Sequence, residues 1–207
     1  MRAISRLMRR GYRLPLGRRL TSFGLTLMTL AAASLPQAGC VHNPQDRTIA
    51  AFEANLAGHA SATQALQQWC DARGIASGAT IRVEFVRGAD AAAPADLRGV
   101  LGVGANDVLG YRHVQLVCGD TVLSDAHNWF VPARLTPDMN RQLSETQVPF
   151  GRIAASLNFT REPLSAARHG DPGCPADAIS THRARLVLPD GRPLAYALEC
   201  YTFANVR

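Results

Sequence analysis

The chain has 207 residues, a formal charge of +6 and no lysine. This length is sufficient for one domain with a hydrophobic core. Seven arginines lie among the first 19 residues, where there is no acidic residue, and they account for the whole excess of positive charge. The remaining chain is close to neutral, so the composition argues against a nucleic-acid-binding groove.

The N-terminus has the pattern of an export signal over residues 1–40. Residues 1–19 are basic, residues 20–36 are apolar and uncharged, and small residues follow up to Cys40. The Ala-Gly-Cys ending resembles a bacterial lipoprotein signal, which predicts lipidation of Cys40 and a periplasmic, membrane-anchored protein. A plain signal peptide or a single membrane anchor is the alternative, although the apolar run is short for a spanning helix. Residues 41–47 are predicted to be a linker.

Four cysteines follow the signal, at positions 70, 118, 174 and 200. An even number in an exported protein predicts at least one disulfide, but three connectivities are possible and the sequence does not choose among them. No pair of cysteines or histidines has the short spacing of a zinc motif, so a zinc site is not expected.

Two helices and a strand are predicted in the first third of the mature chain. Ile49, Phe52 and Leu56 form an apolar stripe, and the segment from Ser61 to Gln64 has the form of a capping box that opens a second helix. Residues 80–86 alternate between apolar and polar, which is typical of a strand. Residues 88–107 are rich in alanine, glycine and aspartate and are predicted to be a surface loop.

A hairpin is predicted over residues 111–132, with its turn at Gly119 and Asp120. Because side chains alternate along a strand, Arg112 shares one face with Val114 and Leu116. A guanidinium on an apolar face requires an anion, which would be either a carboxylate of the protein or a ligand.

The second half of the chain predicts one more helix and three more strands. A helix is expected from Thr136 to about residue 145, a tight corner at 149–152, a strand over 157–168, and a hairpin over 181–203. Short turns between consecutive strands require antiparallel pairing. The predicted fold is therefore α+β, a single domain over residues 48–207 with an antiparallel sheet of five or six strands and helices packed on it. A monomer is expected.

The order and spacing of several short motifs resemble the chorismate lyase family, whose fold also forms the ligand-sensing domain of GntR-type regulators. The matching segments are residues 112–116 and 118–120, 131–136, 148–152, 183–186, 191–194 and Glu199. The resemblance spans residues 48–203. It implies conversion of chorismate to 4-hydroxybenzoate and pyruvate, or action on a close aromatic or cyclohexadiene carboxylate, without a metal or an organic cofactor.

The resemblance also implies which residues hold the two carboxylates of such a substrate. Arg112 would bind the ring carboxylate, with a backbone N–H of Phe150 or Gly151 beside it. Arg152 or Arg185 would meet the second carboxylate, because the guanidinium group binds carboxylates through two parallel hydrogen bonds.

Glu199 is the implied acid, acting together with Arg112 as the catalytic pair. It would hydrogen-bond the ring hydroxyl or protonate the departing oxygen. Glu199 lies one residue further from Pro193 than the family pattern predicts, so a β-bulge is needed to keep it on the ligand's side of the sheet. One alternative concerns the structure: Arg112 and Glu199 form a buried ion pair with each other. Another concerns the function: the protein is a lipoprotein that binds an aromatic carboxylate without turnover.

Polar residues on the second strand of the first hairpin invite a triad interpretation. Ser124, Asp125 and His127 cannot converge locally, because adjacent residues point to opposite faces. His113 and His127 lack partners at ligand spacing and are predicted to be structural or exposed.

Overall fold

One antiparallel sheet organises residues 43–207, which are the residues that the structure, a computed structural model, describes. Its strands are β1 Arg82–Phe85, β2 Gly110–Cys118, β3 Thr121–Phe130, β4 Thr160–Arg168, β5 Ser180–Val187 and β6 Pro193–Tyr201. The strand order is β1-β2-β3-β6-β5-β4, and every neighbouring pair is antiparallel. The predicted α+β class and the antiparallel sheet are confirmed.

Five α-helices accompany the sheet within residues 43–207. They are α1 Pro44–Ala57, α2 Ala62–Arg73, α3 Leu97–Leu101, α4 Pro137–Glu145 and α5 Phe150–Ile153. α1 begins inside the segment 41–47 that was predicted to be a linker. α3 corrects the prediction of a loop over 88–107, because Leu97 and Leu101 are buried one helical turn apart. None of the helices in this described part is long and apolar enough to cross a bilayer.

The helix boundaries follow the predicted capping residues. Ser61 Oγ accepts a hydrogen bond from the N–H of Gln64 at 3.3 Å, and α2 ends at Gly74 in the left-handed conformation. Thr136 Oγ1 accepts a hydrogen bond from the N–H of Met139 at 3.1 Å at the start of α4.

Two β-bulges set the register of the central strands. In the first hairpin Val117 pairs with Val122 but Leu116 pairs with Ser124, so Leu123 is an extra residue on β3. In the second hairpin Leu186 pairs with Ala195 and Val187 with Pro193, which makes Leu194 the extra residue on β6. An extra residue shifts the pairing of everything beyond it by one position.

The sheet has two covered faces of different character. On the first, called the helical face, α1 and α2 pack over one end and α4 and α5 over the other, and each pair buries its own apolar cluster. On the second, called the groove face, α3 and the loops before β2 and β5 pack on Trp129, Tyr196 and Leu198. Fewer elements cover this face, and an open groove runs beside α3.

Two disulfides connect these layers, which confirms the prediction of at least one. Cys70 of α2 is bonded to Cys118 at the end of β2, and both are fully buried on the helical face. Cys174, in the loop before β5, is bonded to Cys200 of β6 on the groove face. Cys40 and the whole export signal lie outside the described residues, so lipidation and export stay predictions.

Replacing Gly110 by alanine is expected to lower the free energy of unfolding by about 1–3 kcal/mol, the usual cost of overpacking. Gly110 pairs with Phe130, and a β-carbon added at Gly110 would lie 2.3 Å from an atom of that ring. Gly99→Ala is the matched control, since its added β-carbon meets nothing within 4 Å in α3. Urea denaturation of both variants tests this; equal midpoints for the two would contradict the close approach.

Candidate functional site

Arg112 is buried on the helical face, and no carboxylate among residues 43–207 pairs with it. Its guanidinium donates hydrogen bonds to the carbonyl oxygens of Thr146 at 3.1 Å and Val148 at 3.3 Å, and it lies 5.0 Å from the centre of the Phe85 ring. Burial lowers the pKa of Arg112 to about 10, which leaves the group charged at neutral pH. The alternative of a buried pair with Glu199 is wrong, and Arg112 instead fixes the segment that leads into the corner at Phe150.

Glu199 has a different arginine as its partner. Its Oε2 accepts hydrogen bonds from Arg161 Nη2 at 2.6 Å and from the hydroxyl of Tyr201 at 2.9 Å. The side chains of Arg161 and Glu199 are 9% and 8% exposed. The carboxylate raises the pKa of Arg161, whereas burial, followed by the charge of Glu199, raises the pKa of Tyr201 well above its usual range.

The bulge at Leu194 places Glu199 on the same face as Arg112. Glu199 pairs with Ala126, which pairs with Val114, and Val114 shares its face with Arg112. The extra residue between Pro193 and Glu199 is therefore absorbed in the way that the family resemblance requires.

A small cavity of about 40 Å³ lies between this part of the sheet and the starts of α2 and α5. Asn128, Arg161 and Glu199 supply polar side chains from the sheet, and Phe150 and Gly151 lie on the side of the helices, together with Ser61 and Thr63. Within residues 43–207, the main-chain N–H groups of Phe150 and Gly151 form no hydrogen bond. The side-chain amide of Asn128 has no hydrogen-bond partner in these residues either. Arg161 Nε is also buried without a partner in this part of the chain.

The other two predicted arginines do not reach this cavity. Arg152 is exposed and lies beside α2, outside the cavity wall. Arg185 pairs with Tyr196 across the sheet, so it lies on the groove face, where it contacts Glu162 at 2.6 Å. The structure therefore brings together Phe150, Gly151 and Glu199 of the predicted set and adds residues that the sequence did not single out.

The groove face carries a second polar cluster, which corrects the prediction that its histidines lack partners. His113 and His127 are directly paired across β2 and β3, with their ring centres 4.0 Å apart. Asp125 Oδ1 lies 2.8 Å from His113 Nε2 and 3.6 Å from His127 Nε2. Burial, and then His113, lower the pKa of His127, which favours its neutral form. Ser124 lies on the helical face, so the rejection of a serine triad is confirmed.

Patterns among neighbouring residues of the sequence do not reveal the polar cluster on either face of the sheet. Without the bulge at Leu123, the two-residue turn would pair His113 with Ala126 and place His127 opposite Arg112. The partner of Glu199, Arg161, comes from β4, and β5 lies between their strands. An arginine within the alternating strand 157–168 was the only available signal for Arg161, and it carried no indication of a partner.

Solved structures share this fold at low sequence identity. PhnF from Mycobacterium smegmatis matches with a TM-score of 0.51 and 15% identity, over 72% of this chain and 67% of that one. The effector domain of the same protein matches with a TM-score of 0.50 and 16% identity, over 70% of this chain and 89% of that domain. The chain therefore shares the fold of PhnF and of its effector domain, in agreement with the predicted antiparallel α+β architecture.

A sequence relative defines the family more narrowly. The uncharacterized protein y4mC of Sinorhizobium fredii is 41% identical over 170 residues, which cover 73% of this chain and 72% of the relative. This chain belongs to the same family as y4mC. No family model matches the sequence.

Proposed function

We propose that this protein binds a small aromatic carboxylate in the cavity on the helical face, without turning it over. The observation that carries the proposal is Arg161 Nε on the cavity wall, a buried donor without a partner among residues 43–207. A buried donor without an acceptor costs roughly 1–3 kcal/mol, which the oxygens of a carboxylate would offset. Phe150 and Gly151 line the same cavity, and their N–H groups would add two further donors.

The size of the cavity requires that it open for the ligand. Its volume of about 40 Å³ is well below the roughly 150 Å³ of a cavity that holds benzene. α5 and α2 meet at Gly151, where an added β-carbon would lie 3.0 Å from Ser61 Cβ. Separation of these two helix starts would enlarge the cavity without disturbing the hydrogen bonds of the sheet.

The state of Glu199 supports binding over catalysis. The proposed acid must donate a proton, whereas Glu199 is the ion-pair partner of Arg161 and accepts hydrogen bonds from Arg161 and Tyr201 through Oε2. In PhnF, a domain that shares this fold is the effector domain.

Chorismate lyase activity is the second candidate. The observation that favours it is the bulge at Leu194, because this bulge keeps Glu199 and Arg112 on one face of the sheet. In that case a substrate would have to displace Arg161 from Glu199, and the freed arginine would bind one of the carboxylates of the substrate.

Thermal unfolding with 4-hydroxybenzoate and incubation with chorismate separate the two candidates. We expect 4-hydroxybenzoate to stabilise the protein, by about 2.7 kcal/mol at a ligand concentration 100-fold above Kd. Asn128→Leu removes a donor from the cavity wall and keeps the volume, so it should abolish most of this stabilisation. Arg152→Ala is the matched control and should leave it unchanged.

Turnover decides between binder and enzyme. If 4-hydroxybenzoate and pyruvate form from chorismate faster than they do spontaneously, and Glu199→Gln abolishes this excess, the protein is a lyase. The proposal of binding without turnover is then wrong. If there is neither stabilisation nor turnover, the cavity on the helical face is not a carboxylate site.

A further inference from the structure

We propose that His113, Asp125 and His127 form a zinc-type divalent metal site on the groove face, with one coordination position open to the groove. This site is independent of the cavity on the helical face. One donor atom from each of the three residues lies within 4.8 Å of the other two. Two histidines and one carboxylate are a donor set found in catalytic zinc and non-haem iron sites.

The distances already approach those of a coordinated ion. In a tetrahedral zinc site with bonds of about 2.0–2.1 Å, the ligand atoms lie roughly 3.3–3.5 Å apart. His127 Nε2 and Asp125 Oδ1 are 3.6 Å apart, which matches this spacing. His113 Nε2 and Asp125 Oδ1 are 2.8 Å apart, so an ion would replace their hydrogen bond after a separation of about half an ångström.

Two of the three ligands are held in place by second partners. The hydroxyl of Tyr111 lies 2.8 Å from His127 Nδ1, which directs Nε2 of this histidine toward Asp125. Gln115 Nε2 donates to Asp125 Oδ2 at 3.3 Å and leaves Oδ1 for the cluster. Such outer hydrogen bonds orient the ligands of metal sites and strengthen binding. His113 is held by its stacking on His127.

Charge gives an independent reason for a cation at this position. The side chain of Asp125 is only 18% exposed, and its ion-pair partners in the described part of the chain are the two histidines alone. Glu199, which is similarly buried, has Arg161 beside it. A divalent ion would compensate the charge of a carboxylate in this poorly solvated position.

The fourth coordination position would face a groove of about 860 Å³. Trp129, Tyr196 and Leu198 form its apolar floor beside the cluster, and Arg183 lies at its edge. Groove volumes of this order are typical of small-molecule sites. Zinc sites with three protein ligands keep the fourth position for water or a substrate.

Zinc titration of the tag-free full-length protein, after dialysis against a chelator, tests the proposal. We expect one equivalent of Zn²⁺ to bind with a micromolar or lower Kd in calorimetry, and Co²⁺ to give the visible absorption of a tetrahedral site. Asp125→Asn and His127→Gln should each weaken zinc binding by at least about 10-fold. His182→Gln is the matched control, because His182 is a half-buried histidine on the helical face.

Tyr111→Phe keeps all three ligand atoms and removes the hydroxyl that lies 2.8 Å from His127 Nδ1 and also accepts a hydrogen bond from the N–H of Ala91. Loss of an outer hydrogen bond to a ligand typically weakens metal binding by about 10–100-fold. This variant tests the proposal if circular dichroism shows that the ligand variants do not fold. Wild-type protein that takes up no stoichiometric Zn²⁺, or folded Asp125→Asn and His127→Gln variants that bind it as wild type does, would overturn the proposal.

Discussion

Replacing Arg161 by methionine should lower the free energy of unfolding by about 3–5 kcal/mol, the range observed when one partner of a buried ion pair is removed. The variant leaves the carboxyl group of Glu199 without its ion-pair partner in a site where its side chain is 8% exposed. Among residues 43–207, the hydroxyl of Tyr201 is then its one remaining hydrogen-bond donor. Guanidinium denaturation, followed by circular dichroism, measures the change.

The double variant Arg161→Met/Glu199→Leu separates the loss of the pair from the burial of an unpaired charge. We expect it to recover most of the lost stability, because apolar replacement of both partners of a buried pair is often close to neutral. Glu162→Gln, which breaks the half-exposed pair with Arg185, is the control and should cost less than about 1 kcal/mol. A cost for Arg161→Met as small as this control would show that the pair is solvated.

Removing the Cys70–Cys118 disulfide by a double replacement with serine should cost about 4 kcal/mol in the chain-entropy description of cross-links. The bond closes a loop between residues 48 positions apart. The Cys174–Cys200 bond spans 26 positions, so its removal should cost less, about 3.5 kcal/mol in the same description. Denaturation midpoints of the two double variants, compared with wild type, give both values.

Thiol titration under denaturing conditions is the companion measurement. In protein from an oxidising compartment we expect these four cysteines to give no free thiol before reduction and four after it. Four free thiols before reduction, or midpoints that do not respond to a reductant, would contradict both bonds and weaken the predicted export.

The elements of the fold could be predicted from the sequence because their signals are local. The side chains of Ser61 and Thr136 cap helices by accepting hydrogen bonds from N–H groups only a few residues away. Gly119 marks a turn because glycine readily adopts the left-handed conformation that the structure shows there. α3 was missed for the same reason. A helix of five residues offers only Leu97 and Leu101 as an apolar stripe, which is too short to stand out from its alanine- and glycine-rich surroundings.

The candidate sites were harder to predict because they depend on register. The strand alternation correctly placed Arg112 on an apolar face, but its partners are backbone carbonyls, which have no sequence signature. The meeting of His113 with His127 depends on the extra residue Leu123, and β-bulges of this kind leave no clear pattern in a single sequence. Glu199 was expected near a ligand, but its partner Arg161 lies two strands away.

The alternation along β3 bears on how the two clusters could change during evolution. Asn128 faces the cavity, whereas Asp125 and His127 face the groove. A point substitution at one of these positions alters one cluster and leaves the other in place, so selection could act on each separately. A one-residue insertion or deletion in β3 beyond Leu123 would exchange the two faces and destroy both clusters at once. Homologous chains should therefore tolerate substitutions in β3 far more readily than changes in its length.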